Sequence, residues 1–281
     1  MKHVLVIPVY NDWKSLNKLI SKLNFVFKNN RKIKNEILII NDNSSEKIKI
    51  SLKKTSYIKN VKIITLKKNF GSQKAIAIGL NYLKKEKKKF YITVMDGDGE
   101  DSPREVKKML DASIKNPNYI ITSNRKSRQE PLIIVFCYKL HLIITFLFTL
   151  KWISFGNFST FNKNNLDRLL KNKNSWYAHS SSVLKNCKII RLYSKREKRY
   201  FDKSKLGLLA LIEHSLRVNV VFYKNILFTS SIYLLFLISF FEIKISLIFS
   251  IMIIFFNILI ISIKIKHWIK NLSKILTFIK K

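Results

Sequence analysis

Three carboxylates at alternate positions, Asp96, Asp98 and Glu100, close the apolar run Tyr91-Ile92-Thr93-Val94-Met95 and precede Ser102-Pro103. A β-branched run that ends on acids and is followed by Ser-Pro predicts a strand, an acidic turn and a helix start. Alternate residues at a strand end project to one side, so three acids would converge and repel one another unless a cation sits between them. Hard oxygen ligands suit Mg²⁺ or Mn²⁺, ions commonly held by one or two carboxylates together with a substrate's phosphates. The chemistry expected is a metal and nucleoside diphosphate site; the competing reading is a solvated acidic turn.

The elements that must position this turn follow from periodicity. His3 to Val9, Glu36 to Ile40, Val61 to Leu66, Phe90 to Met95 and Tyr119 to Thr122 read as strands. Helical spacing runs from Leu16 to Val26, with Asp12 or Asn11 as the cap, and from Gly71 to Leu83. Ser102-Pro103 opens another helix, with Pro in the first turn, where its missing N–H costs nothing. Alternating strands and helices predict a mostly parallel sheet covered on both faces. In such sheets ligands bind beyond the carboxyl ends of the strands, where Tyr10-Asn11-Asp12, Asn41-Asp42 and Asp96-Gly97-Asp98 all fall. No Gly-rich phosphate fingerprint follows the first strand, which argues against a dinucleotide or P-loop fold.

Composition narrows the partners. The chain has 281 residues, 47% of them hydrophobic, and a formal net charge of +36. Its lysines are scattered and not gathered into an aromatic-interleaved patch, so a nucleic acid is not the expected partner. Cys137 and Cys187 lack metal-ligand spacing and form no disulfide framework. The first apolar run is broken at Pro8 and has no cleavage pattern, so the first domain, residues 1–222, is expected to stay in the cytosol.

The remainder points to a membrane. Leu132 to Phe155 is strongly apolar but carries Lys139, His141 and Lys151, as an interfacial helix would. Gly156 to Thr160 reads as a turn, followed by a short helix ending near Leu170, a strand from Lys188 to Tyr193 and a helix from Leu206 to Leu216. Residues 223–281 are expected to hold two transmembrane helices, Ile226 to Phe241 and Ile245 to Ile263, long enough together to form a hairpin across about 30 Å of hydrocarbon. Lys224 before them and Lys264, Lys266, Lys270 and Lys274 after them place both outer ends on the cytosolic side of a multi-pass protein. The tail from Lys264 to Lys281 alternates apolar residues with lysines and is expected to lie on anionic membrane lipids.

Four blocks, Val6 to Asp12, Asn41 to Ser44, Asn69 to Ala75 and Asp96 to Pro103, in this order resemble the family-2 inverting glycosyltransferases with a GT-A, Rossmann-like α/β fold. With the C-terminal hairpin the chain is more narrowly similar to polyprenyl-phosphate glycosyltransferases related to dolichol-phosphate mannose synthase. The resemblance implies a nucleoside-diphosphate sugar donor, bound by Pro8, Tyr10, Asp12, Asp42 and Asp96, and a polyprenyl phosphate acceptor at Arg125, Arg196, Arg199 and Ser204. It implies Mg²⁺ or Mn²⁺ at Asp96, Asp98 and Glu100, and catalytic roles for Asp98, Arg125 and Arg196. The membrane is expected to be of the bacterial inner-membrane type; a homo-oligomer is compatible with the sequence. Asp12 stands where that family usually has Glu, Asn41 replaces the first of two paired carboxylates, and Asp202 replaces a Gly in the later Arg-x-x-Arg pattern. A family-2 transferase with another acceptor, or a membrane-anchored scaffold that keeps the fold, are the alternatives.

Overall fold

The computed structural model describes residues 1–28, 32–51, 56–125, 132–194, 197–201, 207–269 and 272–280. It divides into two compact units, one made of Met1–Arg128, Phe155–Ser204 and Asn271–Lys281, the other of Gln129–Ser154 and Lys205–Lys270.

In the first unit the chain runs through β1 (Lys2–Val9), α1 (Trp13–Phe27), β2 (Lys34–Asn41), β3 (Ile58–Thr65), α2 (Ser72–Lys84), β4 (Tyr91–Val94), α3 (Pro103–Lys115) and β5 (Tyr119–Arg125). The second unit supplies α4 (Leu132–Thr149), after which the first unit resumes with β6 (Phe155–Asn162), α5 (Lys163–Leu169), α6 (Asn174–Tyr177), α7 (His179–Asn186) and β7 (Lys188–Ser194). The seven strands form one sheet in the order β3-β2-β1-β4-β6-β5-β7. All neighbours are parallel except β6, which runs antiparallel to both β4 and β5. The mostly parallel α/β sheet is thus as expected.

Alternation explains the two layers. Leu5, Ile7 and Val9 of β1 and Ile37 and Ile39 of β2 share one buried cluster with Leu16, Leu19, Ile20 and Leu23 of α1 and Val106 and Met109 of α3. The intervening residues face α2, where a β-carbon built on Gly79 would stand 2.9 Å from Ile40 and 3.1 Å from Val6. A buried polar ladder crosses four strands: His3 Nδ1 lies 2.9 Å from Asn35 Oδ1, its Nε2 lies 2.8 Å from Thr93 Oγ1, and Thr93 meets the Thr160 hydroxyl at 2.8 Å. Burial pushes the His3 pKa down to about 4, so the neutral ring is the form that spans β2, β1, β4 and β6.

One reading of the sequence is corrected. Gly156 to Thr160, expected as a turn, lies within β6, and the preceding helix ends at Thr149. Phe155, Phe158 and Phe161 are buried, and apolar anchoring in the sheet outweighs the turn-like Gly-Asn and Ser-Thr composition. Residues 272–280 form a 3-10 turn, Leu272–Phe278, and a bridge from Ile279 to Leu66. The Phe278 ring sits 4.8 Å from that of Phe70, so this stretch belongs to the first unit.

The second unit contains α4, α8 (Leu208–Val220), α9 (Tyr223–Phe240) and α10 (Ile243–Lys266). Two of these, α9 and α10, are long and apolar enough to cross a membrane. Polar side chains tie its helices: Tyr233 Oη donates to Leu147 O at 2.6 Å, Ser230 Oγ donates to Asn257 Oδ1 at 3.0 Å, and Glu213 pairs with Lys266 at 2.6 Å.

Candidate active site

The loops that leave the parallel strands are fastened to one another. After β1, Asn11 adopts a φ of 47°, its N–H donates to Ser44 Oγ at 3.0 Å, and its Oδ1 accepts from Ser45 N–H at 2.9 Å. Asp12 caps α1 by accepting from Ser15 N–H at 3.3 Å. Pro8 is buried within β1 opposite Ile40, and Tyr10 is 43% exposed at the mouth of the sheet. Asn41 turns its amide to the loop, accepting from Ser44 N–H at 2.9 Å, so it organises the turn where the family pattern has a carboxylate. Asp42 is buried, and its two oxygens accept from Phe70 N–H at 2.8 Å and Gly71 N–H at 2.7 Å. It shapes the entrance to α2, where Gly71 holds a φ of 84° that a side chain would strain.

The acidic turn departs from strand geometry. Since β4 stops at Val94, Asp96, Asp98 and Glu100 lie beyond it, in a turn whose Gly99 has a φ of 91°. The three carboxylates therefore belong to a turn and not to the strand. Asp96 Oδ1 accepts from Asn157 Nδ2 at 3.1 Å, and Asp96, Glu100 and Asp101 line a cleft with Ser123, Gly156, Asn157, Phe158 and Ser194. Asp98 accepts from Glu100 N–H at 3.0 Å and pairs with Arg199 Nη1 at 3.3 Å. Among the described residues no three His, Cys, Asp or Glu side chains are grouped as a metal-binding cluster. Asp96, Asp98 and Glu100 thus share one turn, and Asp96 and Glu100 line the same cleft. Two hard carboxylates suffice for Mg²⁺ or Mn²⁺ when a diphosphate supplies further oxygens, and in chemistry Asp96 and Asp98 fit that role.

Arg199 reaches this turn because the segment carrying it is bonded to the turn's backbone. Glu197 N–H donates to Glu100 O at 3.0 Å, Tyr200 N–H donates to Asp98 O at 3.0 Å, and Ser102 Oγ donates to Glu197 Oε1 at 2.6 Å. A β-carbon on Gly99 would fall 2.4 Å from the Tyr200 ring, so only glycine permits this seating. The second Arg199 amine stands 3.6 Å from Asp12 Oδ2, and one guanidinium thus spans the loops after β1 and β4. Arg125 ends β5 opposite Ser194. The Arg125 side chain, Arg196, Ser204 and the departure at Asp202 fall outside the described residues.

Two further residues of the site are neutral amides to which the sequence assigns no role: Gln73 within the Asn69 to Ala75 block, and Asn157. Gln73, 4% exposed in the first turn of α2, donates through Nε2 to Asn157 Oδ1 at 2.9 Å and accepts at Oε1 from His179 N–H at 2.7 Å. Neutral amides are common everywhere; only the pairing of β6 with β4 brings Asn157 beside Asp96.

The glycosyl transferase family 2 model matches residues 4–168, more than half of the chain. An uncharacterised glycosyltransferase of Synechocystis is 29% identical over 126 residues, covering 44% of this chain and 38% of that protein. The undecaprenyl-phosphate 4-deoxy-4-formamido-L-arabinose transferase of Edwardsiella ictaluri is 25% identical over 128 residues, covering 45% and 38%. The aligned part is thus well under half of these curated relatives. Among solved structures, the glucosyl-3-phosphoglycerate synthase of Mycobacterium tuberculosis, in complex with Mn²⁺, UDP and phosphoglyceric acid, has a TM-score of 0.51 at 10% identity, covering 80% of this chain and 78% of that one. That likeness is one of fold.

Proposed function

The chain belongs to glycosyl transferase family 2, and from that premise we propose that it transfers a sugar from a nucleoside diphosphate to a polyprenyl phosphate at the cytosolic face of a membrane. The observation that carries this reading is the alignment of strand ends: Asp12, Asp42 and the Asp96 to Glu100 turn leave β1, β2 and β4, adjacent strands of one parallel sheet. Such an edge is where α/β sheets bind nucleotides.

The chemistry follows from charge. Pro8, Tyr10, Asp12 and Asp42 frame the nucleotide end. Asp96 and Asp98, with Glu100 at the same turn, are the residues that would hold a divalent cation, which when bound supplies positive charge against the departing diphosphate. A polyprenyl phosphate is already ionised near neutral pH, so it attacks the anomeric carbon without a strong base and positioning dominates. Arg125, Arg196, Arg199 and Ser204 hold that phosphate, guanidinium matching it bidentately. Attack opposite the leaving group inverts the anomeric centre. The membrane acceptor is supported by the two apolar helices α9 and α10 and by a relative whose name specifies undecaprenyl phosphate.

The test is an assay of full-length protein with polyprenyl phosphate, Mg²⁺ or Mn²⁺ and a panel of nucleotide sugars. One donor is expected to yield glycolipid, and Asp98→Ala is expected to lower the rate by about a hundredfold or more. No glycolipid with any donor overturns the reading; equal rates for the variant overturn the role of Asp98.

A further inference from the structure

Asp96 sits at the end of a hydrogen-bonded relay whose direction is set at its far end. The His179 backbone N–H, at the start of α7, can only donate, and it donates to Gln73 Oε1 at 2.7 Å. Gln73 must then present its Nε2 to Asn157, and the distance to Asn157 Oδ1 is 2.9 Å. With its oxygen taken, Asn157 offers Nδ2 to Asp96 Oδ1 at 3.1 Å. An amide has one accepting and one donating end, so two amides in series copy the polarity of the backbone N–H onto Asp96. His179 and Ser159 keep the anchor in place: both are fully buried, His179 Nε2 lies 2.8 Å from Ser159 Oγ, and Ser159 Oγ donates to Asn157 O at 3.0 Å. The elements joined, α7, α2, β6 and the turn after β4, are brought together only by the fold.

We propose that Gln73 and Asn157 are positioning residues that deliver a hydrogen-bond donor to Asp96 and so hold its carboxylate, through the relay from His179, in the orientation that receives the cation and diphosphate. The proposal rests on the nucleotide-sugar reading above and adds to it a supporting network outside the acidic turn. Groups that orient a ligating carboxylate typically change metal affinity by about 10- to 100-fold when altered.

The relay's direction provides an isosteric test. Gln73→Glu replaces the donating end with an oxygen, so both ends of residue 73 accept. Asn157 can then bond residue 73 only by turning Nδ2 toward it, which aims Oδ1 at Asp96 and sets two acceptors against each other. Mn²⁺ is titrated into the full chain, alone and with UDP or GDP, and bound ion is followed by its electron paramagnetic resonance signal while the thermal midpoint is recorded separately. Gln73→Glu is expected to weaken Mn²⁺ binding by about tenfold or more. Gln73→Met, which keeps the shape but leaves Asn157 unanchored, is expected to fall between it and the wild type, and covers the case in which the buried acid prevents folding.

A double-variant cycle separates the relay from general damage. In an Asn157→Ala background the Gln73→Glu change has no path to Asp96, and its effect on Mn²⁺ binding is expected to vanish. A wild type that binds Mn²⁺ alongside Gln73→Glu and Gln73→Met variants of unchanged affinity overturns the relay alone, as does an undiminished effect in the Asn157→Ala background. A wild type that binds no Mn²⁺ under any of these conditions overturns the metal-dependent reading and the relay's role with it.

Discussion

Both oxygens of Asp42 accept backbone N–H bonds, and yet burial pushes its pKa up to about 6; the bonds from Phe70 and Gly71 and the charge of Lys74 only partly oppose the cost of taking a carboxylate out of water. Its value in the unfolded chain is about 3.8. Between those two values the folded protein holds a proton that the unfolded chain has released, so stability rises as pH falls through this window and the gain is lost as pH rises past the folded value. The amount is on the order of 3 kcal/mol. Thermal midpoints measured from pH 4.5 to 7.5 are expected to show this slope in the wild type and a flatter profile in Asp42→Asn, whatever the absolute cost of the lost hydrogen bond. Equal slopes would remove Asp42 as the cause. The same residue shows how far side-chain identity could be read ahead of geometry. A paired-carboxylate position marks Asp42 as a site residue, but only the fold reveals that its oxygens are engaged by the loop before α2.

At the scale of elements, what was legible is what repeats locally. Continuous apolar runs in β1 and β2 and the helical spacing of α1 and α2 come from burial on fixed faces, which periodicity records. The strand β6 was not legible, because it is antiparallel, inserted between β4 and β5, and joined to them by pairings such as Thr93 with Thr160 and Thr122 with Ser159 that are far apart in the chain. Gln73 and Asn157 were invisible as partners for the same reason. How closely α2 lies on the sheet is set by Gly79, where a β-carbon would approach Ile40 Cδ1 and Cγ1 to 2.9 Å. Gly79→Ala gains about 1 kcal/mol of helix propensity but must push α2 outward or force Ile40 off its rotamer, at about 1–3 kcal/mol. A net loss of stability in denaturant unfolding is expected, with weaker Mn²⁺ binding because α2 carries Gln73. Unchanged or increased stability would show that the Ile40 side chain simply yields.

For the whole molecule, net charge and apolar surface make opposite claims about how a membrane would hold it. With a formal net charge of +36, attraction to anionic lipid alone could bring the chain to a bilayer. That attraction is screened within about 3 Å at 1 M salt. The helices α9 and α10 add a different kind of contact: Phe228, Leu235, Ile238, Phe240, Ile243 and Ile251 are all more than half exposed, an apolar surface larger than water-soluble proteins usually leave open. Insertion of such helices is insensitive to salt and to loss of lysine charge, because the energy comes from hydrocarbon contact and internally bonded backbone. Membranes containing the full-length protein, washed with 1 M NaCl and then with carbonate near pH 11, are therefore expected to retain it in the pellet, since the alkaline wash also discharges most lysines. Release by salt would assign the association to the basic surface, and release only by carbonate would make α9 and α10 surface-lying helices; either result would withdraw the hairpin while leaving the sheet-edge site of the first unit untouched.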